Sequence, residues 1–148
     1  MPKPNIAIPH AKARGEWAEL RFMARTAEHG LYITKPWGDS APYDFAVDHN
    51  GHFVRVQVKC TLYKRGNSYK CHVGANGVPY SPARVDFIAA YVIPADAWYI
   101  LPLAATNHQP DILLTPTAKI PNTPPTTKPG TCCCRRCPSL KVWSSPPT

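Results

Sequence analysis

The sequence predicts an α/β (α+β) domain in which an N-terminal helix flanks a mixed β-sheet. Three observations lead to this prediction: an amphipathic segment near the N-terminus, two alternating apolar runs joined by Asn50-Gly51, and two further apolar strands later in the chain. A helix followed by strands of this kind is typical of a sheet with a helix packed on it. The 148 residues suit one small domain that needs no disulfide bonds.

The composition divides the chain into two parts. Most large apolar residues lie in residues 1–115, whereas residues 116–148 are rich in Pro, Thr, Ser and Lys, which is typical of a disordered tail. The formal net charge is +8, and the tail contributes 5 basic residues without any acid. The predicted domain is therefore only mildly basic, which supports contact with a polyanion but does not single it out.

The sequence also indicates a cellular location. Residues 1–5 are not followed by the apolar run of a signal peptide, and no stretch reaches the about 18 apolar residues of a membrane span. We therefore expect a cytoplasmic protein with reduced cysteines, in which Cys60 and Cys71 are small core residues.

Residues 1–11 suggest a loose arm, and the first regular element follows it. Residues 15–28 have helical periodicity and end before Gly30. A helical wheel places Glu16 inside the apolar stripe and Glu19 beside it, which slightly favours Glu16 as the inward carboxylate. The residues of the predicted stripe are Trp17, Leu20, Ala24 and Ala27.

The central prediction is a β-hairpin over residues 43–62. Asn50-Gly51 between apolar runs predicts a type I′ turn, because both central positions need positive φ. Counting outward from the turn places Asp44 opposite Gln57, and the alternation of side chains puts Lys59 on the same face as Gln57. The other face is predicted to be an apolar core face made of Val54, Val56, Val58, Cys60 and Leu62.

Four further strands complete the predicted sheet. Residues 31–34 form a short strand, and residues 69–73 follow a turn at 65–68, which predicts an antiparallel meander with the hairpin. Residues 76–82 are predicted to be a loop. Residues 85–93 and 98–101 are apolar runs suited to buried strands, with a turn at 94–97 between them.

These hairpin residues resemble a known enzyme family. Pro42-Tyr43-Asp44, with Gly38 to Ala41 ahead of it, and Val56-Gln57-Val58-Lys59 on the next strand resemble the PD-(D/E)xK nuclease superfamily with Gln in the (D/E) position. The string is most similar to the homing endonucleases encoded in group I introns, over about residues 12–102. The resemblance implies a restriction-endonuclease-like core with a catalytic β-hairpin.

The resemblance also implies a site and a reaction. Its helical Glu follows an Ala and lies about three turns before the terminating glycine, which selects Glu19 over Glu16. The expected catalytic residues are Glu19, Asp44, Gln57 and Lys59. Asp44, Glu19, the Gln57 amide oxygen and the Val58 carbonyl would bind Mg²⁺ (or Mn²⁺), which prefers oxygen ligands. Lys59 would stabilise charge on the phosphate.

The resemblance further implies that the partner is double-stranded DNA, cut by a homo-oligomer, either a dimer or a tetramer. The first candidates for phosphate contact are Lys12, Arg14, Lys64, Arg65 and Lys70, with Lys35 and Arg84 as further ones.

Several alternatives remain open at this stage. A Holliday junction resolvase and a catalytically inactive DNA-binding module would carry the same fold. His49-Asn50-Gly51-His52 superficially resembles a His-Asn nuclease motif, although a hairpin turn explains it better. The cysteines between Cys132 and Cys137 could supply half a zinc site or belong to an unstructured tail.

Overall fold

The structure, a computed structural model, describes residues 6–116, apart from the side chain of His49. Within this range one α-helix, α1 (Ala11–Glu28), precedes ten β-strands. Two short 3₁₀ helices, Ile93–Ala95 and Leu103–Thr106, flank the ninth strand. The strands are β1 (Tyr32–Thr34), β2 (Phe45–His49), β3 (His52–Thr61), β4 (Lys64–Arg65), β5 (Ser68–His72), β6 (Gly74–Ala75), β7 (Val78–Pro79), β8 (Phe87–Val92), β9 (Ala97–Pro102) and β10 (Asp111–Leu114).

The main sheet has five strands in the order β1-β2-β3-β8-β9. Its β3–β8 pair is parallel and its other pairs are antiparallel, so the sheet is mixed. Strands β10, β5 and β4 form a second sheet, and β6 and β7 form a small ladder. The predicted fold class, a mixed sheet with an N-terminal helix, is confirmed.

The predicted hairpin register is confirmed pair by pair. Asn50 and Gly51 have φ of 54° and 80°, the positive values that a type I′ turn requires. From this turn the pairs run outward from His49–His52 to Phe45–Val56. Because β2 begins at Phe45, Asp44 lies just beyond the ladder, level with Gln57.

The core lies on both faces of the main sheet, and β8 is its centre. All six residues of β8 are buried. Because successive side chains of a strand point to opposite faces, both faces of the sheet must be covered at β8. On one face α1 packs Ala18 and Phe22 against the strands. On the other face the second sheet packs Cys71 and Leu114 against the even-numbered residues of β8, which are Ile88, Ala90 and Val92.

The predicted apolar stripe of the helix was wrong except at Trp17, which packs against the core. The buried residues of α1 are Ala18, Phe22 and Thr26, which lie almost on the opposite side of the helix from Leu20, a side chain that is 64% exposed. Counting alanines as equal to larger residues misplaced the face. Thr26 is buried at little cost because its hydroxyl donates to the carbonyl oxygen of Phe22 at 2.8 Å.

The predicted antiparallel meander was wrong in part: β5 follows the predicted turn at 65–68 and pairs antiparallel with β4, but it does not pair with the hairpin. Strand β5 does not extend the hairpin but belongs to the second sheet, where it pairs with β4 and β10. The other neighbour of β3 is β8, whose parallel pairing spans about thirty residues of sequence and leaves no local signal. Leu62, expected on the core face, follows the end of β3 and is 45% exposed. The predicted loop at 76–82 includes β7.

Three other predictions concern the cysteines, a membrane span and the C-terminal tail. Cys71 is fully buried and Cys60 is half-buried, and both are free thiols. No helix within residues 6–116 is long and apolar enough to cross a membrane. The predicted tail, except Pro116, and its cysteine cluster lie outside the described residues.

Candidate active site

The site is built around the carboxylate of Asp44 at the start of the hairpin. The Asp44 N–H donates to the Val56 carbonyl oxygen at 3.0 Å, which fixes the backbone beside β3. Its Oδ2 accepts hydrogen bonds from Nε2 of Gln57 at 2.5 Å and from the N–H of Val58 at 2.8 Å. Two donors on one oxygen hold the carboxylate in a single orientation and leave Oδ1 for another partner.

Gln57 therefore addresses Asp44 with its amide nitrogen. Only the NH₂ group can donate to a carboxylate, so this hydrogen bond also assigns the orientation of the amide. Gln57 is 9% exposed. A nearly buried amide needs such a partner, since an unpaired polar group in this position costs free energy. The hydrogen bond to Asp44 uses the amide nitrogen of Gln57, so it does not occupy the amide oxygen, which was expected to be a metal ligand.

The edge of β3 beside Asp44 is not covered by β2. Alternate residues of a strand direct their N–H and C=O groups to the same neighbour. The Val58 N–H points to Asp44, and the carbonyl of Val58 points to the same side. The structure thus brings the expected carbonyl ligand to the same edge as the carboxylate.

Glu19 lies on α1, which packs on the face of the main sheet opposite the second sheet, and its charge is near enough to Asp44 to affect the pKa of that carboxyl. Its side chain is 23% exposed and its Oε2 lies 2.7 Å from Nζ of Lys35. Glu16, favoured slightly by the helical wheel, is exposed. Glu19 flanks the buried face of the helix formed by Ala18 and Phe22, which explains why it and not Glu16 faces the sheet.

Lys59 follows Val58 on β3 and is half-buried. Its Nζ lies 5.3 Å from the centroid of the Tyr80 ring, a cation–π distance. Tyr80 belongs to the segment between β7 and β8. That segment is held by Arg55, which bonds both carboxylate oxygens of Asp86 at 2.9 Å and also reaches the carbonyl oxygen of Ala83.

The electrostatics of the site centre on Asp44. Burial raises the pKa of Asp44 above its ordinary value, the hydrogen bond from Val58 opposes this shift, and the nearby charge of Glu19 adds to it. Lys59 and Gln57 lower the same pKa by smaller amounts. Asp44 and Glu19 are two carboxylates that disfavour each other's ionisation in a half-buried place. A cation bound between them would reduce this repulsion.

The oxygen donors fit Mg²⁺. Within residues 6–116 no group of three His, Cys, Asp or Glu side chains could hold a metal ion. Mg²⁺, however, keeps several waters and binds through one or two carboxylates. Asp44 and Glu19 could supply these carboxylates, and the Gln57 amide oxygen and the Val58 carbonyl could add neutral oxygens, so this ligand set stays a prediction.

The sequence did not reveal two neighbours of the site. Lys35 was a candidate for phosphate contact, and its bond to Glu19, sixteen residues away, has no sequence signal. Tyr80 was assigned to a loop, and only the packing of that loop brings its ring to Lys59.

The remaining basic candidates are dispersed. Lys12, Lys64 and Arg65 are exposed. The guanidinium of Arg14 donates to the carbonyl oxygen of Pro9 at 2.6 Å, and Lys70 forms an ion pair with Asp111 at 3.1 Å. Nothing in these contacts distinguishes DNA-binding residues from ordinary surface charges, so their role stays a prediction.

Comparisons with known proteins agree on one group. A sequence model of the PD-(D/E)XK endonuclease family matches residues 9–125. Among solved structures, the chain is similar to a bacterial homing endonuclease, I-Ssp6803I, with a TM-score of 0.62 and 25% identity over 80% of this chain and 84% of that one. No curated protein matches. The endonuclease-like fold with its N-terminal helix is therefore confirmed.

Proposed function

This chain belongs to the PD-(D/E)XK endonuclease family, and from that premise we propose that it is a Mg²⁺-dependent endonuclease that hydrolyses phosphodiester bonds in double-stranded DNA. The observation that carries the proposal is the fixed carboxylate of Asp44, held by Gln57 and Val58 on the strand that also bears Lys59. The similar bacterial homing endonuclease supports a homing-type target in duplex DNA.

Each residue has a role in this proposal. Asp44 and Glu19 hold the divalent ion, and the hydrogen bonds from Gln57 and Val58 keep the Asp44 carboxylate from rotating. When bound, the ion polarises the phosphate and lowers the pKa of a coordinated water. Hydrolysis adds the oxygen of a deprotonated water to phosphorus and breaks one P–O ester bond, and the leaving oxygen takes up a proton, so negative charge grows on the phosphate oxygens in the transition state. The ammonium of Lys59 stabilises that charge at the edge of β3.

We also propose that the enzyme works as a homo-oligomer, either a dimer or a tetramer. One site of this kind cuts one strand, so cutting a duplex requires two. Tyr32, Asp48 and Phe53 lie in one row across β1, β2 and β3. Tyr32 is 80% exposed and Phe53 is 64% exposed, so two large apolar side chains on this face are open to contact with a partner subunit. Light scattering after size-exclusion chromatography measures the assembly.

A catalytically inactive DNA-binding module is the second candidate. Gln57, a neutral residue where the family signature has an acid, favours it because the site has one negative charge fewer. Metal titration separates the two candidates. A module that has lost catalysis binds DNA but gives no divalent-ion binding that depends on Asp44.

The decisive experiment measures cleavage with Mg²⁺ or Mn²⁺. The substrates are a plasmid library with randomised inserts and a synthetic four-way junction, the latter because a resolvase prefers branched DNA. The wild type is compared with Asp44→Ala and Lys59→Met, and with Arg25→Met, which removes one positive charge from an ion pair with Glu28 elsewhere on α1. We expect metal-dependent cutting of unbranched duplex sites. Asp44→Ala and Lys59→Met should lose this cutting, and Arg25→Met should keep it. Cutting that survives both site substitutions contradicts the assignment.

A further inference from the structure

Lys35 has an unusual position among the ion pairs of this protein. The other ion pairs in residues 6–116, such as those of Arg21 with Asp96 and Arg55 with Asp86, use carboxylates outside the site. The pair of Lys35 with Glu19 instead uses a carboxylate that we assign to the metal ion, with 2.7 Å between Nζ and Oε2.

The ammonium of Lys35 is also close to the rest of the site. Its Nζ lies 5.5 Å from the ring centroid of Phe45, the residue that follows Asp44. The hydrogen bond to Glu19 raises the pKa of Lys35, burial opposes the shift, and the charges of Glu19, Asp44 and Asp39 add to it. One ammonium thus lies in the field of three carboxylates, two of which we assign to the metal ion.

The chemistry of the side chain suits a contact that can be exchanged. A lysine ammonium is a compact point charge on a flexible stem, whereas an arginine binds carboxylates through a rigid fork. The side chain of Lys35 is 57% exposed, so it can leave Glu19 without disturbing the core. Arg55 shows the contrast, because it bonds both oxygens of Asp86 and two backbone carbonyls of the neighbouring segment.

We propose that Lys35 is a built-in counter-ion of the metal site: it holds Glu19 in the absence of a divalent cation, and an entering cation displaces its ammonium, which then becomes available to a DNA phosphate. This inference rests on the proposed function, because it assumes that Glu19 and Asp44 bind a divalent ion. It makes metal binding and DNA binding mutually favourable, since the same displacement serves both, and such coupling is equal in both directions.

The test measures the affinity for Mn²⁺ by calorimetry in the absence of DNA. Lys35→Met removes the competing charge, so Mn²⁺ binds about fivefold more tightly, a change that corresponds to about 1 kcal/mol and is the upper end for a largely exposed ion pair. Lys35→Arg keeps the charge and binds Glu19 through a fork, so its Mn²⁺ affinity equals or falls below that of the wild type. Arg25→Met, the charge-matched control, leaves the affinity unchanged.

A second measurement follows the released ammonium. The affinity for a labelled duplex is measured by fluorescence anisotropy with EDTA and with Ca²⁺. In the wild type, DNA affinity is higher with Ca²⁺ than with EDTA. In Lys35→Met the fold-increase in DNA affinity caused by Ca²⁺ is at most half of the wild-type value. A merely structural ion pair changes the melting temperature but neither of these two affinities.

The outcomes separate this inference from the proposed function. If Mn²⁺ binds the wild type and is lost in Asp44→Ala, but Lys35→Met binds no more tightly than the wild type, the counter-ion role is overturned and the metal site stands. If the folded wild type does not bind Mn²⁺ at all, the metal-dependent function is overturned and the counter-ion role with it.

Discussion

Nε2 of Gln57 lies 2.5 Å from Oδ2 of Asp44, so the residue that occupies the second acidic position of the family signature donates a hydrogen bond to the first. An acid at this position would repel Asp44 unless a cation lay between them. The neutral amide therefore stabilises the carboxylate without metal. Its consequences are testable on the protein alone and on its reaction with DNA.

Gln57→Glu should make the stability of the protein depend more strongly on a divalent cation. The substitution replaces a buried donor by a third carboxylate, so we expect the free energy of unfolding at pH 7 in EDTA to fall by about 1–3 kcal/mol. Mn²⁺ should restore much of this loss, as measured by urea denaturation. Gln57→Leu, which removes the donor without adding charge, is the control, and Mn²⁺ should stabilise it less than it stabilises Gln57→Glu. A Gln57→Glu protein that ignores Mn²⁺ contradicts the placement of the ion.

Asp44→Asn should stabilise the metal-free protein at neutral pH. Because the folded-state pKa of Asp44 is raised, the folded protein binds more protons than the unfolded chain between the ordinary and the raised value. Stability is therefore lost as pH rises through the raised pKa, and Asn avoids that loss. In EDTA the two proteins should have similar melting temperatures below about pH 4. As pH rises above this value the melting temperature of the wild type should fall below that of the variant, and the variant should be the more stable at pH 7. Equal curves contradict the electrostatic account.

Tyr80 should position Lys59 through its ring and not through its hydroxyl. The Nζ–centroid distance of 5.3 Å predicts that Tyr80→Phe keeps cleavage close to the wild-type rate. Tyr80→Leu should lower the cleavage rate about two- to fivefold, as expected for a partly exposed cation–π contact of about 0.5–1 kcal/mol. The measurement is the single-turnover rate at saturating protein, which separates the rate from DNA affinity. A loss in Tyr80→Phe equal to that in Tyr80→Leu assigns the effect to the hydroxyl.

Arg55→Lys should destabilise the segment that carries Tyr80. A lysine cannot reproduce the paired bonds to Asp86 or reach the carbonyls of Pro82 and Ala83, so we expect a loss of about 1 kcal/mol, kept small because the pair is partly exposed. Arg55 lowers the pKa of Asp86, so its contribution is present above the ordinary pKa and is lost as pH falls through the lowered value. The difference between the two proteins in urea denaturation should therefore shrink below about pH 4. A difference that does not shrink in acid assigns the loss to the contacts of Arg55 that do not titrate, which are its bonds to the two carbonyls and its packing.

Glu19→Gln and Glu16→Gln should differ sharply in activity. The loss of a metal carboxylate should lower the cleavage rate by at least about 10²-fold, since the ion supplies several kcal/mol of stabilisation. Glu16 is exposed, and its substitution should change the rate by less than about twofold. Both variants lose the same charge from the same helix, so each is the control of the other. Equal losses in both contradict the assignment of Glu19.

Much of the site follows from local features of the sequence. Asn50-Gly51 requires positive φ at two positions, and this alone sets the register from His49–His52 to Phe45–Val56. Strand periodicity then brings Gln57 level with Asp44 and places Lys59 on the same face as Gln57. Turn chemistry and alternation act between residues close in the chain, which is why the sequence by itself determined the hairpin and the Asp44–Gln57 neighbourhood.

Only the tertiary structure decided the rest. The rotation of α1 follows the burial of Phe22 and Thr26 against strands far along the chain, and it places Glu19 beside the buried face, where its charge affects the pKa of Asp44. The same long-range packing moved β5 into a second sheet, brought Lys35 to Glu19 and set Tyr80 beside Lys59. These contacts join residues that share no local period or turn. They form because burial of apolar surface is non-directional and favours whichever arrangement of the whole chain removes most of it from water.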